Sequence, residues 1–285
     1  MEWLERMNDA LAYMENNLDS KISIEKAAQI ACCSQYHFQR MFSYVIGVPL
    51  SEYLRRRRLT MAAFDLQGGD KVIDVALRYG YDSPTAFNRA FHTIHGISPS
   101  AAQKPNATLK AFGPVSFQIS ITGATEMEFR IQEKEAFRVV GIRMKIGDNP
   151  IENGENIMTF WENVSKNGLL RPILQLIDGN HTPANLLGLY VGDDGDGSGH
   201  YHICAATDKP TPDGMFAVNV PKHTWAIFSG SGKPTGIVDL LRRIYAEWQP
   251  AANYDFAANI DMEVYADMTP DDMKYEIWMP VVKKS

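Results

Sequence analysis

One segment of this chain occurs twice, 49 residues apart. Ile24, Ala27, Ser34, Phe38, Arg40, Phe42 and Gly47 recur as Ile73, Ala76, Ser83, Phe87, Arg89, Phe91 and Gly96. Identities held at one fixed offset mean one supersecondary unit used twice. In each copy a short apolar-periodic stretch, Ile24 to Ala31 or Val72 to Tyr79, runs into a tight break, and a second periodic run follows. Ser34 and Ser83 stand where an N-cap hydroxyl accepts from the orphan backbone N–H groups of a first helical turn. Phe38, Met41 and Phe42, like Phe87, Ala90 and Phe91, fall at i, i+3, i+4, so each second helix buries one stripe. Gly47 and Gly96 suit left-handed positions just past a helix end. Two short helices joined by a break of about three residues make a helix-turn-helix, and the spacing predicts two of them.

The outer face of each second helix carries the chemistry. Gln35, Tyr36, His37, Gln39 and Arg40 occupy it in the first copy, and Thr85, Asn88 and Arg89 in the second. Arginine forks onto guanine, Gln and Asn onto adenine, and Thr or Tyr meets a thymine methyl or a phosphate. These residues lie in the first two turns, the part of such a helix that enters a major groove. The run from Ile24 to Pro99, with AAQIACCSQYHFQRMFSYVIGVPLSEYLRRRRL and VIDVALRYGYDSPTAFNRAFHTIHGISP, resembles the DNA-binding domain of AraC/XylS-type transcription regulators. The resemblance implies two modules held by a central helix, each reading a neighbouring groove segment. By motif position Tyr36, Gln39 and Arg40 match base-contacting positions of the first module, and Thr85, Asn88 and Arg89 those of the second. Pro84 departs from the pattern: it suits a first helical turn but offers no side-chain hydrogen bond. The first copy is therefore expected to be the stronger reader.

Between the copies, Leu50, Tyr53, Leu54, Leu59, Met61, Ala62, Phe64 and Leu66 fall largely at helical spacing, and Gly68-Gly69 stops the run. A helix of that length is a rod of about 25 Å. It carries Arg55-Arg56-Arg57-Arg58, which point around most of the helix circumference, so one or two are expected on phosphate or acidic side chains and the rest in solvent. Residues 1–110 hold 13 Lys or Arg against 11 Asp or Glu, a net of +2; residues 111–285 hold 15 against 23, a net of −8, which together give the chain's −6. An acidic second half must point away from phosphates, so DNA binding is expected from the first half alone and to be salt-sensitive.

The expected organisation is multidomain: an all-α double helix-turn-helix domain over 1–106, a linker and lead-in over 107–126, and an α+β domain over 127–285. In the latter, Phe129–Lys134, Phe137–Lys145, Leu186–Val191, Tyr201–Ala206, Met215–Val220, Thr224–Gly230, Ile260–Tyr265 and Tyr275–Val281 alternate as strands do. Helical stripes over about 154–166 and 234–248 interrupt them. The order suggests two pseudo-symmetric halves sharing a curved antiparallel sheet, with helices on one face and a concave site on the other. No apolar run approaches the ~18 residues of a membrane span, and the N-terminus is an acidic amphipathic helix rather than a signal peptide. Cys32, Cys33 and Cys204 build neither a disulfide frame nor a zinc site. A cytoplasmic chain with no cofactor and no metal is expected. Asp194, Asp196 and Ser198 imitate the start of a calcium loop, but its twelfth position is Ala205, not the needed Glu. His200 and His202 share a strand face without an evident third ligand.

In the last hairpin, alternation sets Glu276, Trp278 and Pro280 on one face of their strand, and Glu263 with Tyr265 makes a similar pair on the partner strand. A carboxylate beside an indole can hold a cation by charge and by cation–π attraction. VPKHTWAIFSGSG, IYAEWQP and MEVYADMTPDDMKYEIWMPV, within residues 127–283, resemble the GyrI-like effector-binding domain of bacterial regulators. That resemblance implies a pocket between two halves, binding hydrophobic or cationic small molecules around a buried glutamate. Glu276 matches the glutamate by position, and Trp278, Trp225, Tyr190, Phe160 and Trp161 are candidate aromatic walls. The expected function is a sequence-specific transcription regulator, an activator, whose partners are double-stranded DNA, a small-molecule effector and RNA polymerase; oligomeric state stays open. No catalytic residue is expected. The alternative is a hydrolase of reactive toxins that uses Glu276 as a base.

Overall fold

The computed structural model describes residues 2–118, 126–147, 149–192, 199–269 and 271–284. In chain order the helices of the first part are α1 (Glu2–Glu15), α2 (Ile24–Ile30), α3 (Gln35–Ile46), α4 (Leu50–Gln67), α5 (Val72–Arg78), α6 (Pro84–His95) and α7 (Pro99–Ala102). There follow β1 (Phe129–Lys134), β2 (Phe137–Ile146), α8 (Pro150–Lys166), α9 (Leu170–Leu174), β3 (Leu186–Gly192), β4 (Gly199–Ala206), β5 (Phe216–Val220) and β6 (His223–Gly232). The last elements are α10 (Gly236–Arg243), a π turn over Ile244–Trp248, α11 (Gln249–Ala251), β7 (Tyr254–Phe256), β8 (Ile260–Asp267) and β9 (Met273–Lys283). The chain forms two compact units, Met1–Cys32 with Val48–Ile119, and Cys33–Gly47 with Ser120–Ser285. Helix α3, assigned by sequence to the first domain, groups with the sheet.

In the helical unit, serine caps and glycine stops act as the repeat predicts. Ser83 Oγ accepts from Ala86 N at 3.5 Å and Gly96 ends α6 at φ 76°, and outside the repeat Ser23 Oγ accepts from Lys26 N at 3.1 Å. The core joins Leu59, Ala62 and Leu66 of α4 to Val75 and Ala76 of α5, Phe87, Phe91 and Ile94 of α6, and Ala102 of α7. His95 Nε2 donates to the Leu59 carbonyl at 3.0 Å and its Nδ1 accepts from Lys110 N at 3.3 Å, and burial lowers the pKa of this imidazole. Residues 107–118, expected as linker, include anchors on the helices: Phe112 N donates to Thr60 Oγ1 at 3.1 Å, and Phe117 exchanges two hydrogen bonds with Asn8.

The four arginines of α4 correct one expectation, because none is left merely to solvent. Arg55 and Arg56 share Glu52, Arg57 is buried against Glu15 at 2.7 Å, and Arg58 donates to the carbonyls of Leu18 and Ser20 at 2.9 Å. Pointing around the helix, Arg57 and Arg58 meet α1 and the segment that follows it, while Arg55 and Arg56 pair with Glu52 of α4 itself.

In the other unit the eight expected strands form, and short β7 joins them on β9. All pairs are antiparallel, in the order β1-β6-β9-β8-β3-β4-β2-β5. Read from both ends, the path is palindromic: β1 corresponds to β5, β6 to β2, β9 to β4 and β8 to β3. The two pseudo-symmetric halves therefore meet at the β8–β3 seam. Only Pro221 and Lys222 connect β5 at one end of this path to β6 near the other, so the sheet must bend round. Its inner face is filled by Val139, Leu187, Leu189, Val220, Trp225, Met262, Val264 and Trp278, which corrects the expectation of an open concave site there. The other face carries Tyr201, Ile203 and Tyr190 under Ile157 and Val164 of α8 and Ile173 of α9. The calcium-loop imitation at Asp194, Asp196 and Ser198 lies outside the described residues. No described helix is long and apolar enough to cross a membrane.

Candidate functional site

Strand β8 alternates Ile260, Met262 and Val264 with Asp261, Glu263 and Tyr265. Because successive side chains point to opposite faces, the apolar set joins the inner core and both carboxylates go to the helix-covered face. Neither reaches water freely: Asp261 is 1% and Glu263 5% exposed. Glu263 Oε2 accepts from Tyr265 Oη at 2.6 Å and from Tyr201 Oη at 2.8 Å, and Trp161 Nε1 of α8 donates to Tyr201 Oη at 3.0 Å. Burial pushes the Glu263 carboxyl up and these hydroxyls pull it back down, with burial the larger effect. Among the described residues, no Lys or Arg forms an ion pair with it. Gly188, opposite Glu263 on β3, makes the space: a Cβ there would run into Tyr201 Oη and stand 2.6 Å from Glu263 Oε2.

Asp261, two residues before Glu263 on the same face, does have a cation. Arg40 Nη2 of α3 meets Asp261 Oδ2 at 3.0 Å, and Tyr36 Oη donates to Oδ1 of the same carboxylate. The guanidinium carbon lies 4.3 Å from the Tyr190 ring centroid, 5.2 Å from Tyr36 and 5.5 Å from Tyr44, and Tyr44 stacks on Tyr245. His37 Nε2 donates to the Ala258 carbonyl at 2.6 Å; burial drives its pKa down to about 3, so the ring is neutral. Tyr190 and Tyr201 pack edge to face with centroids 4.8 Å apart, so the Arg40 and Glu263 sites share a wall.

The structure divides the sequence-predicted effector residues between two faces. Glu263, Tyr265, Tyr190, Trp161 and Phe160 gather on the helix-covered face. Glu276, Trp278 and Trp225 belong to the opposite one, since Glu276 pairs with Val264 and Glu263 with Ile277. Glu276 is also no isolated buried glutamate. Arg130 clasps it through two bonds of 2.8 and 3.0 Å, Trp278 Nε1 donates to it at 2.8 Å, and these partners outweigh partial burial and hold its pKa low. Of the DNA-facing candidates, Thr85, Asn88 and Arg89 are exposed on α6, whereas Tyr36, His37, Gln39 and Arg40 are buried and Gln35 is half-buried. Sequence reasoning missed Asp261, Tyr201, Tyr44, Tyr245 and Gly188. For Asp261 the signal was present, as an acid in phase with Glu263 on a strand whose other face is wholly apolar.

A family model described as an integron-associated effector binding protein matches residues 130–281, just over half of the 285 residues, and one described as a helix-turn-helix domain matches residues 27–104. The HTH-type transcriptional activator AarP of Providencia stuartii is 41% identical over 95 residues, which are 33% of this chain and 70% of AarP. The chain is an AraC-type helix-turn-helix regulator of the integron-associated effector-binding family. This regulator is also 24% identical over 292 residues to the right origin-binding protein of Escherichia coli K12, covering 96% of the one and 97% of the other. The solved structure of SAV2435 bound to tetraphenylphosphonium is similar over 55% of the regulator and 94% of its own chain, at 21% identity and a TM-score of 0.49.

Proposed function

We propose that the regulator activates transcription in response to an organic cation held at Glu263. The observation that carries this reading is a buried carboxylate, hydrogen-bonded by Tyr201 and Tyr265 beside Trp161, that has no counter-cation of its own among the described residues. Burial favours the neutral form of such a carboxyl, and a cation that is also attracted by aromatic faces favours the ionised one. Glu263, rather than Glu276, is the anionic anchor, with Tyr201, Tyr265, Tyr190, Phe160 and Trp161 as its wall. Glu276 is paired and held ionised, so the hydrolase alternative, which needs a base with a raised pKa, draws no support from it. DNA is read by Thr85, Asn88 and Arg89 of α6 and by Tyr36, Gln39 and Arg40 of α3. The resemblance to transcriptional activators supports promotion of RNA polymerase activity at the bound site.

Calorimetric titration with tetraphenylphosphonium, used as a bulky monocation probe, tests the site. Binding that Glu263→Gln weakens by about tenfold or more, and that Glu276→Gln leaves unchanged, is the expected result. A probe bound equally by the wild type and Glu263→Gln removes Glu263 from the site.

A further inference from the structure

The same guanidinium is claimed by two partners. Arg40 stands at a candidate base-reading position of the first repeat copy, yet its charge is spent on Asp261, within a ring of Tyr36, Tyr44 and Tyr190. We infer that the Asp261 cage is a binding site for the regulator's own reading helix, and that a cationic effector works by displacing Arg40 from it. The effector half of this inference rests on the cation reading of Glu263; the Arg40 half does not.

Four observations carry it. First, the contacts between α3 and the sheet use the residues that would meet DNA: Tyr36 on Asp261, His37 on the Ala258 carbonyl and Arg40 on Asp261. An arginine 4% exposed cannot reach a base edge, so the two engagements exclude each other. Second, the seat is an imperfect one. Arg40 reaches Asp261 through a single nitrogen, Nη2, whereas Arg57 grips Glu15 through both Nε and Nη2. A buried pair joined through one nitrogen is a weaker anchor than a forked one and more open to exchange. Third, Asp261 and Glu263 put two carboxylates on one face against one guanidinium. A second cation entering beside Glu263 meets favourable charge but shares the Tyr190–Tyr201 wall with Arg40, and like charges at that range repel. Fourth, a small cleft lined by Gln39, Arg40, Ile146, Pro150 and Asn153 borders Arg40, so the packing around the cage is incomplete on that side. Effector and DNA then both favour the state in which α3 is free, so each raises the affinity for the other.

The test removes the seat without touching α3. Asp261→Asn deletes the counter-charge. Gly192→Leu works by sterics instead, because a Cβ at Gly192 would stand 2.8 Å from the Tyr36 ring. A duplex is selected from a randomised pool with the Asp261→Asn protein, and its affinity for each full-length protein is measured by fluorescence anisotropy. Hydrogen exchange of residues 35–46 is followed alongside. In the absence of any cation, both variants are expected to bind the duplex about tenfold more tightly than wild type, within the usual range of allosteric coupling, and to lose protection in α3. Tetraphenylphosphonium should tighten wild-type binding and leave Asp261→Asn unchanged. Equal or weaker duplex binding by both variants, with their thermal unfolding still cooperative, overturns the Arg40 latch even where the probe binds at Glu263. Tighter binding by both variants together with a probe that does not bind keeps the latch and overturns the cation reading. If Asp261→Asn fails to unfold cooperatively, Gly192→Leu alone decides.

Discussion

Glu263 shows how far one carboxylate's behaviour is set by its surroundings. Its pKa is raised because burial penalises the charge more than two tyrosine hydroxyls relieve it. A raised folded-state pKa gives stability that is present below the unfolded pKa and lost as pH rises through the folded one. Cation binding has the opposite sign, since it needs the ionised form. Probe affinity should therefore climb as pH rises through the Glu263 pKa and stay flat in Glu263→Gln, which titrations across a pH series would check. Gly188 acts by absence. Gly188→Ala puts a methyl group into Tyr201 Oη and against Glu263 Oε2, and overpacking of this kind costs roughly 1–3 kcal/mol; a lowered thermal midpoint with weakened probe binding is expected. The sequence displayed Glu263 and Tyr265 as an in-phase pair, but it could not say that Gly188 across the ladder leaves the room they need.

At the scale of elements, the repeat was fully legible as helices and only half legible as a surface. Ser34 and Ser83 cap α3 and α6, and Gly47 and Gly96 end them with φ of 80° and 76°. Ser34→Ala should destabilise the chain by about 1 kcal/mol, the usual loss for an N-cap hydroxyl, read in denaturant unfolding. Cys32 holds a left-handed φ of 53° in the first break. Cys32→Gly relieves that conformation and should raise stability by up to about 1 kcal/mol in the same assay. Which helix face is free was not readable: equivalent registers of α3 and α6 give a buried Arg40 and an exposed Arg89. Local propensity builds both helices alike, while burial depends on partners more than two hundred residues away, Asp261 above all.

For the whole molecule, charge placement matters more than charge count. The run Arg55 to Arg58 suggests one or two phosphate contacts, yet Glu52, Glu15 and backbone carbonyls engage all four side chains. Arg56→Ala should therefore leave the salt dependence of DNA binding nearly unchanged, whereas Arg89→Ala should weaken binding by ~1–3 kcal/mol and relax specificity at one base position if it reads a base; anisotropy over a salt series separates the two. From the sequence alone came the helix-turn-helix repeat, the alternating strands, their division into two halves and the residue types able to read DNA or hold a cation. These follow from periodicity, capping and spacing, which act over a few neighbouring residues. Tertiary structure decided which carboxylate is buried, that Glu276 and Glu263 lie on opposite faces of one sheet, and that Arg40 is engaged by Asp261. The physical reason is that sheet register and ion pairing join residues far apart in the chain, and a shift of one position moves a side chain to the other face.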